Sequence, residues 1–157
     1  MTTYYSPQGG LPPQSSLHTG RAVFTQSYAV IPRGVFSDIV TSFLPGWTGA
    51  RLWLIARPLS GFAETFSHYL MELAHGGGSD TPDPEPGAES VLFVTEGEVW
   101  LSIEGKEHEL APGGYAYIPA GNAWRLHNGQ PRTARFHWLR KLYEPAAGVA
   151  PPVAFVT

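Results

Sequence analysis

The 157-residue chain has no cysteine, which at once excludes disulfide frameworks, thiolate metal sites and cysteine nucleophiles. A reducing cytoplasm is compatible with that absence. Charged residues supply only 15% of the chain, where about 25% is usual, and lysine and arginine form no run. With a net charge of -3 the sequence offers no electrostatic footprint for nucleic acid. No apolar stretch approaches the length of a bilayer span, and the opening residues, MTTYYSPQGGLPPQSS, have neither the basic start nor the apolar run of a secretory signal. A soluble, cytoplasmic protein without membrane contact is expected. A helical period of consequence, a heptad and an internal repeat are also missing.

What the chain does have is aromatic side chains, at 13%. Set against the scarcity of charge, they predict an exterior partly hidden against another subunit or domain, as in a homo-oligomer. Proline and glycine cut the sequence into short β-rich runs: AVFTQSYAVIP, VFSDIVTSFLP, RLWLIARPL and ETFSHYLMELA, then SVLFVTEGEVWLSIEGKEHEL, GGYAYIPAGNAWRLHN and TARFHWLRKLY. Between the two groups, HGGGSDTPDPEPGA at 75–88 reads as a long loop. The spacing predicts an all-β jelly-roll sandwich or barrel. Residues 1–20, with Pro7, Pro12 and Pro13, read as an extended arm; 21–145 form the domain; 146–157 read as a linker or tail.

Residues 113–128 are the most specific stretch. Tyr115 to Ile118 suit a half-buried strand, Pro119-Ala120-Gly121-Asn122 suits a turn, and Trp124 to His127 resume the alternation, so a β-hairpin is expected. Gly113, Pro119, Gly121 and Asn128 occupy the fixed places of the second cupin motif, G-x5-P-x-G-x2-H-x3-N, and the stretch resembles it. Trp124 stands where that pattern has a metal-binding histidine, and an indole N–H offers no lone pair. Counting back from Gly97 by the first cupin motif puts the glutamate place on Ser90 and the two histidine places on Pro84 and Pro86. A competing count with a bulge places Asp83, Glu85 and Glu89 there, a carboxylate set suited to a hard cation.

No two of the six histidines have H-x-H spacing. His68 and His137 fall on predicted strands, where they either meet inside the barrel or stay at the surface. Phe93, Trp100, Tyr115, Tyr117, Trp124, Phe136 and Trp138 either line a cavity or form core. For a small polar ligand the candidates are Ser90, Tyr117 and Trp124. Arg132, Arg135, Arg140 and Lys141 make a modest basic group, suited to a carboxylate or to salt bridges.

Longer strings, among them RAVFTQSYAVIPRGV, LIARPLSGFAETFSHYLMELA, AESVLFVTEGEV, PGGYAYIPAG and RFHWLRKLYEP, resemble the amino-terminal half of the two-cupin (S)-ureidoglycine aminohydrolases, also called glyoxylate-induced proteins. The resemblance implies a cupin double-stranded β-helix. It also implies a role in allantoin and purine breakdown, hydrolysing ureidoglycine to ureidoglycolate and ammonia at a manganese ion. In that family the ion belongs to the carboxy-terminal cupin, and the first cupin is metal-free and structural. The resemblance therefore implies no catalytic residue and no cofactor in this chain, with a manganese-bearing second cupin as partner. The alternative is a stand-alone metal-free cupin holding a small polar metabolite.

Overall fold

A computed structural model describes residues 23–24, 28–30, 43–56 and 65–157. Two compact units divide the chain, Met1–Asp38 and Ile39–Thr157. In the first, β1 (Val23–Phe24) pairs antiparallel with β2 (Ala29–Val30), so the run AVFTQSYAVIP folds back on itself. The expected arm at 1–20 and most of VFSDIVTSFLP lie outside the described residues.

The second unit is a nearly closed antiparallel barrel without helix among the described residues. Consequently no described helix is long and apolar enough to cross a membrane. Its strands are β3 (Thr48–Ala56), β4 (Phe66–Ser79), β5 (Ala88–Glu96), β6 (Val99–Ile103), β7 (Lys106–Leu110), β8 (Tyr115–Ile118), β9 (Trp124–His127), β10 (Ala134–Leu142) and β11 (Phe155–Val156). They follow the order β11-β8-β5-β10-β4-β9-β6-β7, with β3 also on β4. The long β4 is the join. Its first part lies between β3 and β10, and its last residues, Gly78 and Ser79, cross to pair with His127 and Leu126 of β9.

Period-two alternation sets the inner face. Met71 and Leu73 of β4, Leu92 and Val94 of β5, and Phe136 and Trp138 of β10 are buried, while their sequence neighbours face outward. Burying a large apolar side chain of this kind stabilises the fold by about 1.5–3 kcal/mol. From the opposite wall, Leu101 and Ile103 of β6 meet Leu126 and Trp124 of β9 in register and complete the core.

Two expectations need correction, and the tail gains a detail. The stretch 113–128 is not a hairpin: β8 pairs with β5 and β11, and β9 pairs with β4 and β6. The turn is present, with Asn122 N–H donating to the Pro119 carbonyl and Gly121 at φ 84°, but it carries the chain across the barrel from one wall to the other. Turn chemistry marks a reversal without saying which strands pair.

The glycine-rich stretch 75–79 is strand rather than loop, and only 80–87 separates β4 from β5. Glycine here serves backbone contact. A Cβ on Gly78 would lie 2.3 Å from the Leu126 carbonyl oxygen, and one on Gly77 would lie 3.0 Å from the carbonyl oxygens of Thr48 and Gly49.

Residues 146–157, read as linker or tail, end in β11. Phe155 and Val156 pair with Tyr117 and Ala116, and Thr157 exchanges both backbone hydrogen bonds with Tyr115.

Candidate functional site

The inner places assigned by motif spacing lie on β5 and β9. Ser90 pairs in register with Ile118 of β8 and Arg140 of β10, and its side chain turns inward at 2% exposure. There the hydroxyl accepts the Trp138 indole N–H at 3.1 Å. The Trp138 ring lies edge-on to Trp124, with centroids 6.1 Å apart, and close to Trp47 at 5.6 Å and Tyr69 at 5.3 Å. Trp47 also stacks on Phe136 and donates its own indole N–H to the Pro82 carbonyl. A packed aromatic cluster therefore occupies the space between Ser90 and Trp124.

Of the seven aromatic residues singled out in the sequence, Trp124, Phe136 and Trp138 are in this core. Phe93 and Trp100 are 41% exposed on the outside, so they line no interior. Tyr115 and Tyr117 occupy the outward positions of β8, alternating with buried Ala116 and Ile118. Two members of the cluster, Trp47 and Tyr69, escaped the sequence reading. Trp47 follows Pro45-Gly46 outside any periodic run, and only its indole, expensive to expose, marked it.

The 80–87 loop carries the other places. Pro84 and Pro86 are exposed. Asp83, whose side chain is only 3% exposed, accepts two hydrogen bonds from Arg140 at 2.7 Å each, and Glu85 accepts a third at 2.8 Å. Burial works against the charge on Arg140, but the Asp83 hydrogen bonds outweigh it and hold the guanidinium above its usual range. Glu89 faces outward and accepts the Tyr117 hydroxyl at 2.6 Å; burial and then this carboxylate push the Tyr117 phenol upward. The three acids of the alternative ligand count are thus divided between two partners on the barrel wall.

Of the neighbouring basic residues, Arg135 is equally engaged. Arg135 binds Glu72 and Glu96 within the chain. His68 and His137 do meet, but on the outer face rather than inside, with Nε2 of one 2.8 Å from Nδ1 of the other.

A cation in the barrel does not fit this donor set. Trp124 supplies no lone pair, the Ser90 hydroxyl is held by an indole, and prolines have no ligating side chain. Among the described residues no three histidine, aspartate or glutamate side chains converge for metal binding. A cleft of about 240 Å³ outside the cluster is lined by Asp80, Ser102, Gly105, Ala123, Trp124 and Arg125. Its charged groups are paired, Arg125 with Glu107 and Asp80 with His127.

Asn128, the last fixed place of the second motif, is fully buried and structural. Its amide donates to the carbonyls of Leu73 and Arg132, and its side-chain oxygen accepts Gln130 N–H.

The cupin domain pattern matches residues 69–140, from β4 to β10. Over these residues the barrel is a cupin domain. The cupin is homologous to the (S)-ureidoglycine aminohydrolase of Escherichia coli, with 28% identity over 128 residues that cover 78% of the chain and 48% of the enzyme. It thus spans about half the length of that curated relative. Among solved structures, a Pseudomonas aeruginosa protein assigned by name to the glyoxylate-induced proteins is 55% identical, with a TM-score of 0.79 over the whole chain and 57% of that protein. The Escherichia coli protein YlbA is 25% identical, with a TM-score of 0.75 over 93% of the chain and 58% of YlbA.

Proposed function

We propose that this cupin, with no metal inside its barrel, is the supporting half of a (S)-ureidoglycine aminohydrolase-type protein, with hydrolysis carried out by a manganese-bearing second cupin. One observation carries the reading: Ser90 and Trp124, at two of the ligand places, lie on either side of the Trp138 ring, so the volume that a catalytic cupin keeps for ion and substrate is filled with indole. The engagement of Asp83 and Glu85 by Arg140 supports it from the loop side. In this role the residues of the chain hold a shape and bear no step of the reaction. Their partners are a second cupin and further copies of the protein.

The test is ammonia release from (S)-ureidoglycine with added Mn²⁺, run on this chain alone and on the chain joined to a carboxy-terminal cupin taken from a relative. No turnover is expected from the chain alone, and turnover from the joined protein. Turnover by the chain alone, or failure of the joined and folded protein where the intact relative works, overturns the reading.

The stand-alone reading, in which the cupin holds a small polar metabolite, rests on the cleft beside Trp124. Calorimetry with ureidoglycolate, glyoxylate and allantoate tests it; saturable binding that is lost in Asp80→Asn supports a ligand there.

A further inference from the structure

His68 of β4 and His137 of β10 lie on adjacent antiparallel strands. The register sets His137 opposite Leu70 and His68 opposite Leu139, so the two imidazoles are diagonal neighbours, within reach of each other across the ladder. Both point outward, because the alternate residues Tyr69, Met71, Phe136 and Trp138 belong to the core. Their backbones are fixed on both sides: β4 lies between β3 and β10, and β10 between β4 and β5. His68 Nε2 and His137 Nδ1 stand 2.8 Å apart, with ring centroids at 5.0 Å and planes at 48°.

We propose that His68 and His137 form a two-imidazole site for a late first-row divalent ion, Cu²⁺ before Ni²⁺ or Zn²⁺, on the outer face of the barrel. Metal–imidazole bonds of about 2.0–2.1 Å separate two adjacent ligand atoms by roughly 2.8 Å at a square-planar angle and 3.3 Å at a tetrahedral one. The observed spacing is at the near end of that range, so side-chain rotation suffices. One ring nitrogen now donates a proton to the other. On binding, that proton moves to the far nitrogen of the same ring, leaving both facing lone pairs on the metal and releasing no net proton.

Burial, and then the neighbouring His137, lower the pKa of His68 to about 4, and burial lowers that of His137. A metal requires the neutral imidazole, the form that burial favours. The carboxylate on the same face of β4, Glu72, is held by Arg51 and Arg135. The remaining coordination positions belong to water or an added ligand. Imidazole donors favour copper, nickel and zinc over magnesium, calcium and manganese, and copper binds most tightly in that series.

The decisive measurement is nitrogen-detected NMR of the imidazoles in the full chain at pH 7, titrated with ZnCl₂. His68 and His137 ring nitrogens are expected to shift together and saturate near one equivalent, with the other imidazoles unmoved. Calorimetry with CuSO₄ should show at least a tenfold loss of affinity in both His68→Gln and His137→Gln, and no competition by excess Mg²⁺. Shifts spread over the exposed histidines, or unchanged affinity in either folded variant, overturn the site. If a variant does not fold, the wild-type spectrum still decides.

Discussion

Trp138 and Ser90 are diagonal neighbours on adjacent strands, and the indole N–H of the first donates to the hydroxyl oxygen of the second at 3.1 Å inside a largely apolar cluster. The serine is 2% exposed, so neither group has water as an alternative partner. Trp138→Phe should therefore lose more than ring area: a buried polar group left unpaired costs about 1–3 kcal/mol. Urea unfolding of Trp138→Phe, Ser90→Ala and the double variant measures this, and the double variant should lose less than the two single losses added together.

Trp124 should matter by volume. It is 9% exposed and packs edge-on against Trp138. Trp124→Ala is expected to cost about 3–5 kcal/mol, the range for truncating a buried aromatic. A loss below 1 kcal/mol in the same unfolding assay would show that the ring fills no necessary space.

The two arginine pairs should differ in size. Arg140 binds an Asp83 carboxylate that is 3% exposed, whereas Arg125 and Glu107 are 53% and 52% exposed. Arg140→Leu strands a buried charge and should cost about 3–5 kcal/mol. Arg125→Leu should cost far less, because solvent already screens that pair. Thermal or urea unfolding of the two variants side by side gives the ranking, and equal losses would contradict it.

Acid should weaken the barrel through its histidine pair. His68 titrates near 4 in the folded protein against 6.5 as its ordinary value, and His137 is lowered as well. Between these values the unfolded chain binds more protons than the native one, so stability falls as pH drops from about 6.5 to about 4 and this contribution flattens below. Carboxylates titrate in the same window, so the variant comparison isolates the effect: His68→Gln should show a shallower decline of melting temperature from pH 7 to 4 than the parent. Parallel declines would exclude His68 as a source.

Asn128 should be intolerant of change. It joins Leu73 of β4 to Arg132 and Gln130 of the segment before β10. Asn128→Ala removes every one of these bonds, at about 1–3 kcal/mol for each buried group left unpaired. Asn128→Asp should also fail, since a carboxylate cannot donate to the two carbonyls. Amide hydrogen exchange at Gly76, whose N–H donates to the Asn128 carbonyl, reports the loosening locally.

Local signals in the sequence were legible where one residue type meets one backbone need. Gly97 has φ 70°, and a Cβ there would lie 2.7 Å from the Thr133 carbonyl oxygen. Glu104-Gly105 turns β6 into β7 with both residues at positive φ. The same signals misled where the need was not local. Gly77 and Gly78 read as breakers, yet they are glycine so that β4 can pass close to Gly49 and Leu126. Pro119-Ala120-Gly121 read as a hairpin turn although its flanking strands pair with other partners.

By itself the sequence determined what the side chains are able to do: an indole at 124, prolines at 84 and 86 and a serine at 90 cannot grip a cation together, and that follows from their atoms wherever the chain goes. Alternation likewise determined an all-β domain. Only the tertiary structure decided what occupies the interior and which charges are spent, because Trp138 with Ser90, Arg140 with Asp83 and His68 with His137 lie 48, 57 and 69 residues apart. Contacts over such separations are fixed by strand order and register, which depend on how the whole barrel buries its apolar faces and not on any short stretch of residues.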